Sequence, residues 1–395
     1  LDGNLYPAVW MYYGSPYGQP YVTLNYGQFE YLGSSILNVS TDAGGYFKYT
    51  PPTDYKALTQ DNLEANTAGI TGFTYFKNRD ATDYYILADR VRGIYNYWDG
   101  SDQTTNPSIN TNSVQKFLQQ GVQVGNMDAI NTDAESFVLW QWANDGSSTD
   151  VSAAGTVLAS TYRVNTAAGF SNGIYTGNGS SGAQVTHGLG ALPTMIIVKH
   201  TDQNGQDTNV YLSPVSATPA TQTMSLNANS GISANSSKWN DGSPAFTTNL
   251  FTVGNSSGVN VSSSVYIFYA WAEIAGYSKF GTFTGNNSTD GPFINLGFFP
   301  SYFMFKRTDG NGDWYVMDTA RSTYNPANAI LALNNNQIEN WMGTPANFKM
   351  DFVATGIKIR STNGSDFNGS GAEFVYAAFA ENPFGGSGVN QAKAR

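Results

Sequence analysis

The sequence predicts an all-β protein, built as tandem β-sandwich or jelly-roll-like modules with three internal repeats. Three observations predict it. Short apolar runs rich in Val, Ile, Tyr, Phe and Thr are punctuated every few residues by Gly, Asn, Ser, Thr and Asp, as strands and turns are. No stretch holds a 3.6-residue apolar period for three turns. The nearest, Ser113–Gly121, reads equally well as a strand ending in a Gly turn. Last, a set of anchors recurs three times in the same order, the signature of a repeated supersecondary unit.

The first anchor is four mainly apolar residues, then Lys, two variable residues and Asp. It occurs at Phe73–Asp80, Met195–Asp202 and Tyr302–Asp309. A second apolar run begins at Phe137, Tyr266 and Phe374, and a smaller echo precedes it at Gly121, Leu250 and Gly356. The last two copies also share an opening, GFSNGIYTGNGS from Gly169 and GYSKFGTFTGNNS from Gly276. This divides the chain into residues 1–60 ahead of the repeats and a shortened first module at 61–146. A linker follows at 147–160, built on GSSTDVSAAG, then modules at 161–276 and 277–384. Residues 385–395 are a tail or a short docking strand. MIIV and YIFYAW are apolar at successive positions, so both faces of those strands are expected to be buried. GVQV and GIKI alternate, which suits half-exposed strands. Ile197, Phe268, Phe303 or Met304, and Tyr376 are the expected core residues.

Composition narrows the function. The chain has 395 residues, 19 basic and 29 acidic, for a net charge of −10, with 12% charged and 14% aromatic residues. Such aromatic content excludes a solvated disordered chain. An acidic balance without a basic stripe argues against a nucleic-acid partner. No run approaches the roughly 18 apolar residues of a membrane span, so no membrane insertion is expected. With no Cys and only His187 and His200, thiolate chemistry is excluded and most transition-metal chemistry with it. No cofactor is expected. The start at Leu1, without Met or a leader, suggests part of a longer or processed polypeptide.

Several residues could carry a site. Asp309, Asn311 and Asp313 stand at alternate positions, as in a calcium loop, but Trp314 holds the place of the Gly and Ala320 that of the bidentate Glu. A hairpin turn accounts for the same residues. The repeated Lys77, Lys199 and Lys306 end apolar strands, where Lys commonly keeps an exit solvated and blunts an edge. Glu273 and Glu381 align, but Asn144 replaces them in the first copy, and nothing nominates the carboxylate pair of a glycosidase. His187 has no GxSxG elbow beside it, and His200 reads as surface filler. YTGNGS and FTGNNS read as turns. Trp239 with Asp241 in KWNDGSP, Trp98 and Trp341 sit beside Asn, Asp or Gly and are candidate glycan contacts, since sugars pair an aromatic face with a few polar groups. Capping of a sandwich end, or packing between neighbouring modules or subunits, is the favoured account of the same residues.

The ordered strings YTGNG, HGLG-x-x-P-x-MIIVK, GYSKFG, DGPF, FKR-T and AFAENPF, from Tyr175 to Phe384, resemble a family of bacteriophage virion proteins usually described as tail-fibre or other structural proteins. The first module matches more loosely. The pieces Tyr6–Gly14, Val22–Phe29 and Tyr46–Leu58 are similar to the closing strands of a SPRY or concanavalin-A-like sandwich. The resemblance implies a non-enzymatic protein of the virion surface, a tail fibre or related appendage that attaches to host-surface glycan. A capsid decoration protein or head fibre, and a fibre-borne polysaccharide depolymerase, are the alternatives. Expected partners are other virion proteins and, given the surplus of Tyr and Phe, further copies in a homotrimer.

Overall fold

A computed structural model describes residues 70–380 apart from 101–107, 119–120, 204, 342–347 and 363, together with two earlier strands by their backbone. The chain divides into two compact units, Leu1–Ala65 and Asn66–Arg395. In the first, β1 (Ala8–Tyr12) pairs antiparallel with β2 (Tyr21–Asn25). The remainder of the segments resembling a closing sandwich lies outside the described residues.

The second unit is all-β and has three lobes. The first holds β3 (Ile70–Asn78), β4 (Ile86–Asp89), β5 (Asn96–Asp99), β6 (Ser108–Ile109), β7 (Val114–Leu118), β8 (Gly121–Val124), the one-turn helix α1 (Asp128–Asn131) and β9 (Phe137–Val151). The second holds β10 (Ser160–Asn165), β11 (Phe170–Thr176), β12 (Ala183–Thr186), β13 (Met195–His200), β14 (Asn209–Leu212), β15 (Gln222–Ser225) and β16 (Ser233–Ala234). Helix α2 (Ser236–Trp239), β17 (Leu250–Val253) and β18 (Val265–Trp271) complete it. The third holds β19 (Ser278–Thr284), β20 (Phe293–Asn295), β21 (Tyr302–Arg307), β22 (Tyr315–Asp318), β23 (Leu331–Ala332), β24 (Met350–Val353), β25 (Gly356–Ile359) and β26 (Glu373–Phe379).

In each lobe the two anchor strands are hydrogen-bonded neighbours: β3 with β9, β13 with β18, and β21 with β26. Lys77 stands opposite Val138, Lys199 opposite Ile267 and Lys306 opposite Val375. The inner sheets of the first two lobes join through β10 into twelve strands, ordered β16-β15-β14-β13-β18-β11-β10-β9-β3-β4-β5-β6. That of the third lobe has five, β19-β26-β21-β22-β23. Small outer sheets, β7-β8, β12-β17 and β20-β25-β24, cover one face of each lobe and make it a sandwich. Within Ser113–Gly121, Val114–Leu118 is strand, as the all-β reading has it. One expectation is corrected: the stretch read as a linker continues β9 as far as Val151, pairing with β10. Ser147–Val151 is polar or β-branched, which an exposed strand end accepts as readily as a loop does.

Unbroken apolar runs follow from this arrangement. Along β13, Ile196 and Val198 face the lobe's own sandwich, where Phe268 also lies, whereas Met195 and Ile197 face outward from it. Outward here means toward the other lobes. One continuous core takes Phe73, Tyr75, Trp140 and Trp142 from the first lobe, Met195, Ile197, Tyr269 and Trp271 from the second, and Tyr302, Met304 and Phe379 from the third. A cavity of about 30 Å³ lies where the three meet. Phe303 and Tyr376 face the third sandwich. Gly residues in β11 and β19 make room for the paired strand: a Cβ on Gly173 would stand 2.7 Å from the Phe268 ring, and one on Gly281 2.6 Å from the Tyr376 hydroxyl.

Ile197→Ala is expected to cost about 2–5 kcal/mol of stability, through lost burial and the cavity left behind. Chemical denaturation of the pair measures it, and a variant that unfolds with its parent sinks the shared core.

Candidate functional site

The structure moves most of the sequence candidates indoors. Trp239 was expected on a polar loop, yet it is fully buried, its ring 5.7 Å from that of Tyr211. It ends α2, and a single helical turn suffices to aim one residue of a polar string inward while Asp241 stays exposed. Trp98 is buried in the shared core beneath the Lys199 ammonium, 5.6 Å from its ring. Trp341 is half-buried and stacks on Tyr315 at 6.2 Å. Trp239 and Trp98 therefore present no free face to a sugar. Asp309 pairs with Arg307 at 2.7 Å, and Asp313 accepts from the side-chain amides of Asn334 and Asn335 at 2.7 and 3.0 Å. With Asn311 exposed, the three candidate calcium ligands do not converge on one point. No group of three or more His, Cys, Asp or Glu among the described residues could hold a metal. His200, expected on the surface, is buried against Tyr266 with its Nε2 3.0 Å from Asp202. Glu273 is exposed, and Glu381 lies outside the described residues.

The repeated lysines are buried, because the neighbouring lobe covers the strand end they occupy. Each Nζ donates to a carbonyl in the Asp-rich loop of its own lobe: Lys77 to Asp83 at 2.6 Å, Lys199 to Gln206 at 2.6 Å, and Lys306 to Gly312. Each also reaches the next lobe. Lys77 donates to the Asn335 carbonyl at 3.2 Å, Lys199 covers Trp98, and Lys306 donates to the Ala228 carbonyl at 3.4 Å. Burial lowers Lys77 and Lys306 to about 8, against the raising effect of Asp83 on the first and of Asp313 and Asp366 on the second. The three contacts close a ring, first lobe to third, second to first and third to second.

Two further joints were missed in the sequence. Asp89 pairs with Arg92 at 2.5 Å and accepts the Tyr269 hydroxyl of the second lobe at 2.9 Å. Asp318 pairs with Arg321 at 2.6 Å and accepts the Trp140 indole N–H of the first lobe at 3.1 Å. Arg321 also lies 5.5 Å over the Trp140 ring and reaches Glu339, which Arg79 holds at 2.7 Å. The available signal was the Asp-x-x-Arg after β4 and again after β22. The two Gly-rich openings are turns, each clasped by a buried Asn downstream. Asn260 Oδ1 accepts from Asn178 N–H at 2.8 Å, and Asn368 Oδ1 from Asn286 N–H at 3.0 Å.

An open feature adjoins these joints. A cleft of about 620 Å³ lies between β9 and the third lobe, walled by Trp140, Trp142, Tyr277, Phe299 and Tyr302, with Ser301 and Asp318 among its polar groups. Its wall includes every residue from Val138 to Trp142, so both faces of that stretch, and therefore its edge, border the cleft. Among the described residues that edge has no strand partner before Asp145, where β10 joins. The buried Ser301 hydroxyl has no hydrogen-bond partner there. Chemically the cleft sets a row of backbone donors and acceptors, unpaired among the described residues, beside aromatic walls.

A family model described as Domain of unknown function (DUF7483) matches residues 52–383. The chain belongs to this family. The DUF7483 match spans all three lobes, so the interlobe joints fall inside the family domain. No curated protein and no solved structure matches the chain.

Two substitutions probe the joints. Asp318→Asn leaves the buried Arg321 with less compensation and is expected to destabilise by about 3 kcal/mol. Adding Arg321→Gln should cost less than the sum of the single changes, as a double-mutant cycle reads directly. His187 is buried, accepting from Leu189 N–H at 3.2 Å, with Nε2 3.4 Å from the Thr247 carbonyl, and burial lowers it from 6.5 to about 4. The unfolded chain therefore binds the proton first as pH falls. Stability is lost between pH 6.5 and about 4, by roughly 3 kcal/mol from this group. Melts from pH 7 to 4.5 should fall less steeply in His187→Gln than in the parent; parallel curves refute the assignment.

Proposed function

We propose that this chain is a non-enzymatic structural protein of the bacteriophage virion surface, a tail fibre or related appendage that attaches to host-surface glycan. One observation carries the binding reading. Seven buried charged side chains, Lys77, Lys199, Lys306, Asp89, Arg92, Asp318 and Arg321, hold lobes or hairpins together, Asp318 doing so while it also borders the cleft. That is how a rigid display scaffold uses charge, whereas a catalyst keeps perturbed groups facing a substrate. The resemblance from Tyr175 to Phe384 supports the virion assignment. The aromatic surplus no longer argues for a homotrimer, because those rings pack between lobes of one chain.

For sugar contact the exposed ring of Tyr324 replaces the tryptophans. It is 84% exposed in the polar string Ser322–Asn325. Its loop is held by Asn325, which donates to the Phe352 carbonyl at 2.8 Å and accepts from Phe352 N–H at 3.0 Å. A fixed, exposed ring among short polar residues is what sugar stacking requires.

Purified protein should compete with particles for host adsorption, and labelled antibody should decorate intact virions. Tyr324→Ala should weaken competition by roughly tenfold, about 1.4 kcal/mol, without moving the melting temperature. Decoration without competition would leave a particle-building role and remove host attachment, while shortening of capsule polysaccharide would overturn the non-enzymatic reading.

A further inference from the structure

The 620 Å³ cleft is walled by residues that the repeated fold alone does not require. β13 and β21 hold the same place in their lobes, with Met195 opposite Trp271 and Tyr302 opposite Phe379. The turns that lead into them make the same backbone bonds. Thr194 N–H donates to the Trp271 carbonyl at 2.7 Å, and Ser301 N–H to the Phe379 carbonyl at 2.8 Å. Ser213 N–H and Thr319 N–H return to the Thr194 and Ser301 carbonyls at 2.8 and 3.0 Å. One turn reads Leu192-Pro193-Thr194-Met195, and its Leu192 is 58% exposed. The other reads Phe299-Pro300-Ser301-Tyr302, and Phe299, Ser301 and Tyr302 all line the cleft. Aromatic rings therefore stand where the cleft opens, at places where the second lobe carries Leu and Met. We propose that this cleft binds a neutral oligosaccharide, and that the bound sugar chain continues to Tyr324. The continuation to Tyr324 rests on the host-glycan reading above, whereas binding in the cleft does not.

Size, walls and charge together select the ligand. A volume of about 620 Å³ is that of a small-molecule site. Trp140, Trp142, Phe299 and Tyr302 supply aromatic carbon with few polar groups among them, a setting that takes the C–H face of a sugar ring and matches only some of its hydroxyls. The Ser301 hydroxyl is one such match. It is withdrawn from water and has no hydrogen-bond partner among the described residues, a penalty that a ligand hydroxyl relieves. Asp318 is the one charged residue in the wall, and Arg321 at 2.6 Å and the Trp140 N–H at 3.1 Å already share its carboxylate. The wall thus offers no cation to a uronate or a phosphorylated sugar, which makes the ligand neutral. Ala320, exposed, lies on the rim, and Tyr324 follows four residues later. Their Cα atoms are therefore at most roughly 14 Å apart, a gap that a short oligosaccharide bridges.

Trp140 and Trp142 make indole emission of the full chain the readout. Maltotriose, cellotriose and mannotriose are the probes, with trigalacturonate as their anionic counterpart. At least one neutral trisaccharide is expected to change the emission saturably, with a Kd below roughly 1 mM, and trigalacturonate is not. Ser301→Ala should weaken that binding about tenfold while holding or raising the melting temperature, because it removes an unpartnered hydroxyl. Ala320→Trp, at an exposed position, should plug the rim and abolish binding in a chain that melts like its parent. Tyr324→Ala should weaken the trisaccharide too, and unchanged affinity there overturns the continuation. No saturable change with any of the three probes, binding that survives Ala320→Trp, or trigalacturonate bound as tightly overturns the cleft as a glycan site. A chain that binds a trisaccharide here, and loses it in Ala320→Trp, yet does not compete for host adsorption upholds the cleft and removes only host attachment.

Discussion

Each anchor strand must be covered on both faces, and that single constraint organises the second unit. A strand that reads Met-Ile-Ile-Val has no solvent face, and among the described residues its lobe contains one outer sheet to cover it. The remaining face, with Met195 and Ile197 in one lobe and Tyr75, Trp140 and Trp142 in another, has to meet apolar surface elsewhere. Three lobes meeting in a ring supply it to one another. A lobe cut out alone would expose a large contiguous aromatic patch, which soluble monomers avoid. The lobes are therefore expected to fold as one cooperative body, although their sequences repeat.

Polar groups at the rim of this core follow the same logic. An ammonium withdrawn from water needs partners, and backbone carbonyls are the partners a turn leaves pointing inward. Each Lys therefore comes with the loop that follows it, which explains why Lys and the Asp-rich turn recur together. The carbonyls neutralise no charge, and burial accordingly pulls Lys77 and Lys306 down to about 8. Asp89 with Arg92, and Asp318 with Arg321, solve the equivalent problem with full countercharge and offer their spare lone pairs to a Tyr hydroxyl and a Trp N–H from the adjacent lobe. A misplaced lobe would leave these groups unpaired, so they fix the relative placement of lobes more than they add stability.

Strand identity was legible because it depends on local pattern: β-branched and aromatic runs between turn residues read as strands whatever lies around them. Placement was not. Lys77 ends an apolar run, and sequence shows the end of the strand but not the lobe that covers it. Trp239 sits among Lys, Asn, Asp and Gly, and its inward aim depends on one turn of helix against Tyr211, a contact made across the fold. The polar Ser147–Val151 fits loop and exposed strand equally, so only its pairing with β10 decides. Tyr324 satisfied the criterion applied to the tryptophans, and its string STYNP could have been selected on the same grounds.

The three joints are not equivalent, and the difference locates the seam of the ring. Between the first and second lobes the twelve-stranded sheet is continuous, so that joint carries backbone hydrogen bonds as well as side chains. Between the second and third the chain crosses directly, and further bonds such as Trp314 Nε1 to the Ser225 carbonyl at 2.9 Å and Gly312 N–H to the Asn229 carbonyl at 2.8 Å tie the loops together. The third and first lobes meet through Tyr75, Lys77, Arg79 and Trp140 on one side and Leu333, Asn335, Glu339 and Asp318 on the other. Beside those contacts lies the cleft. One backbone bond, Glu339 N–H to the Arg79 carbonyl at 2.8 Å, adds to these side-chain contacts. A joint of scattered bonds flanking a cavity opens at lower free energy than a paired sheet, so local opening of the unit should start at this seam.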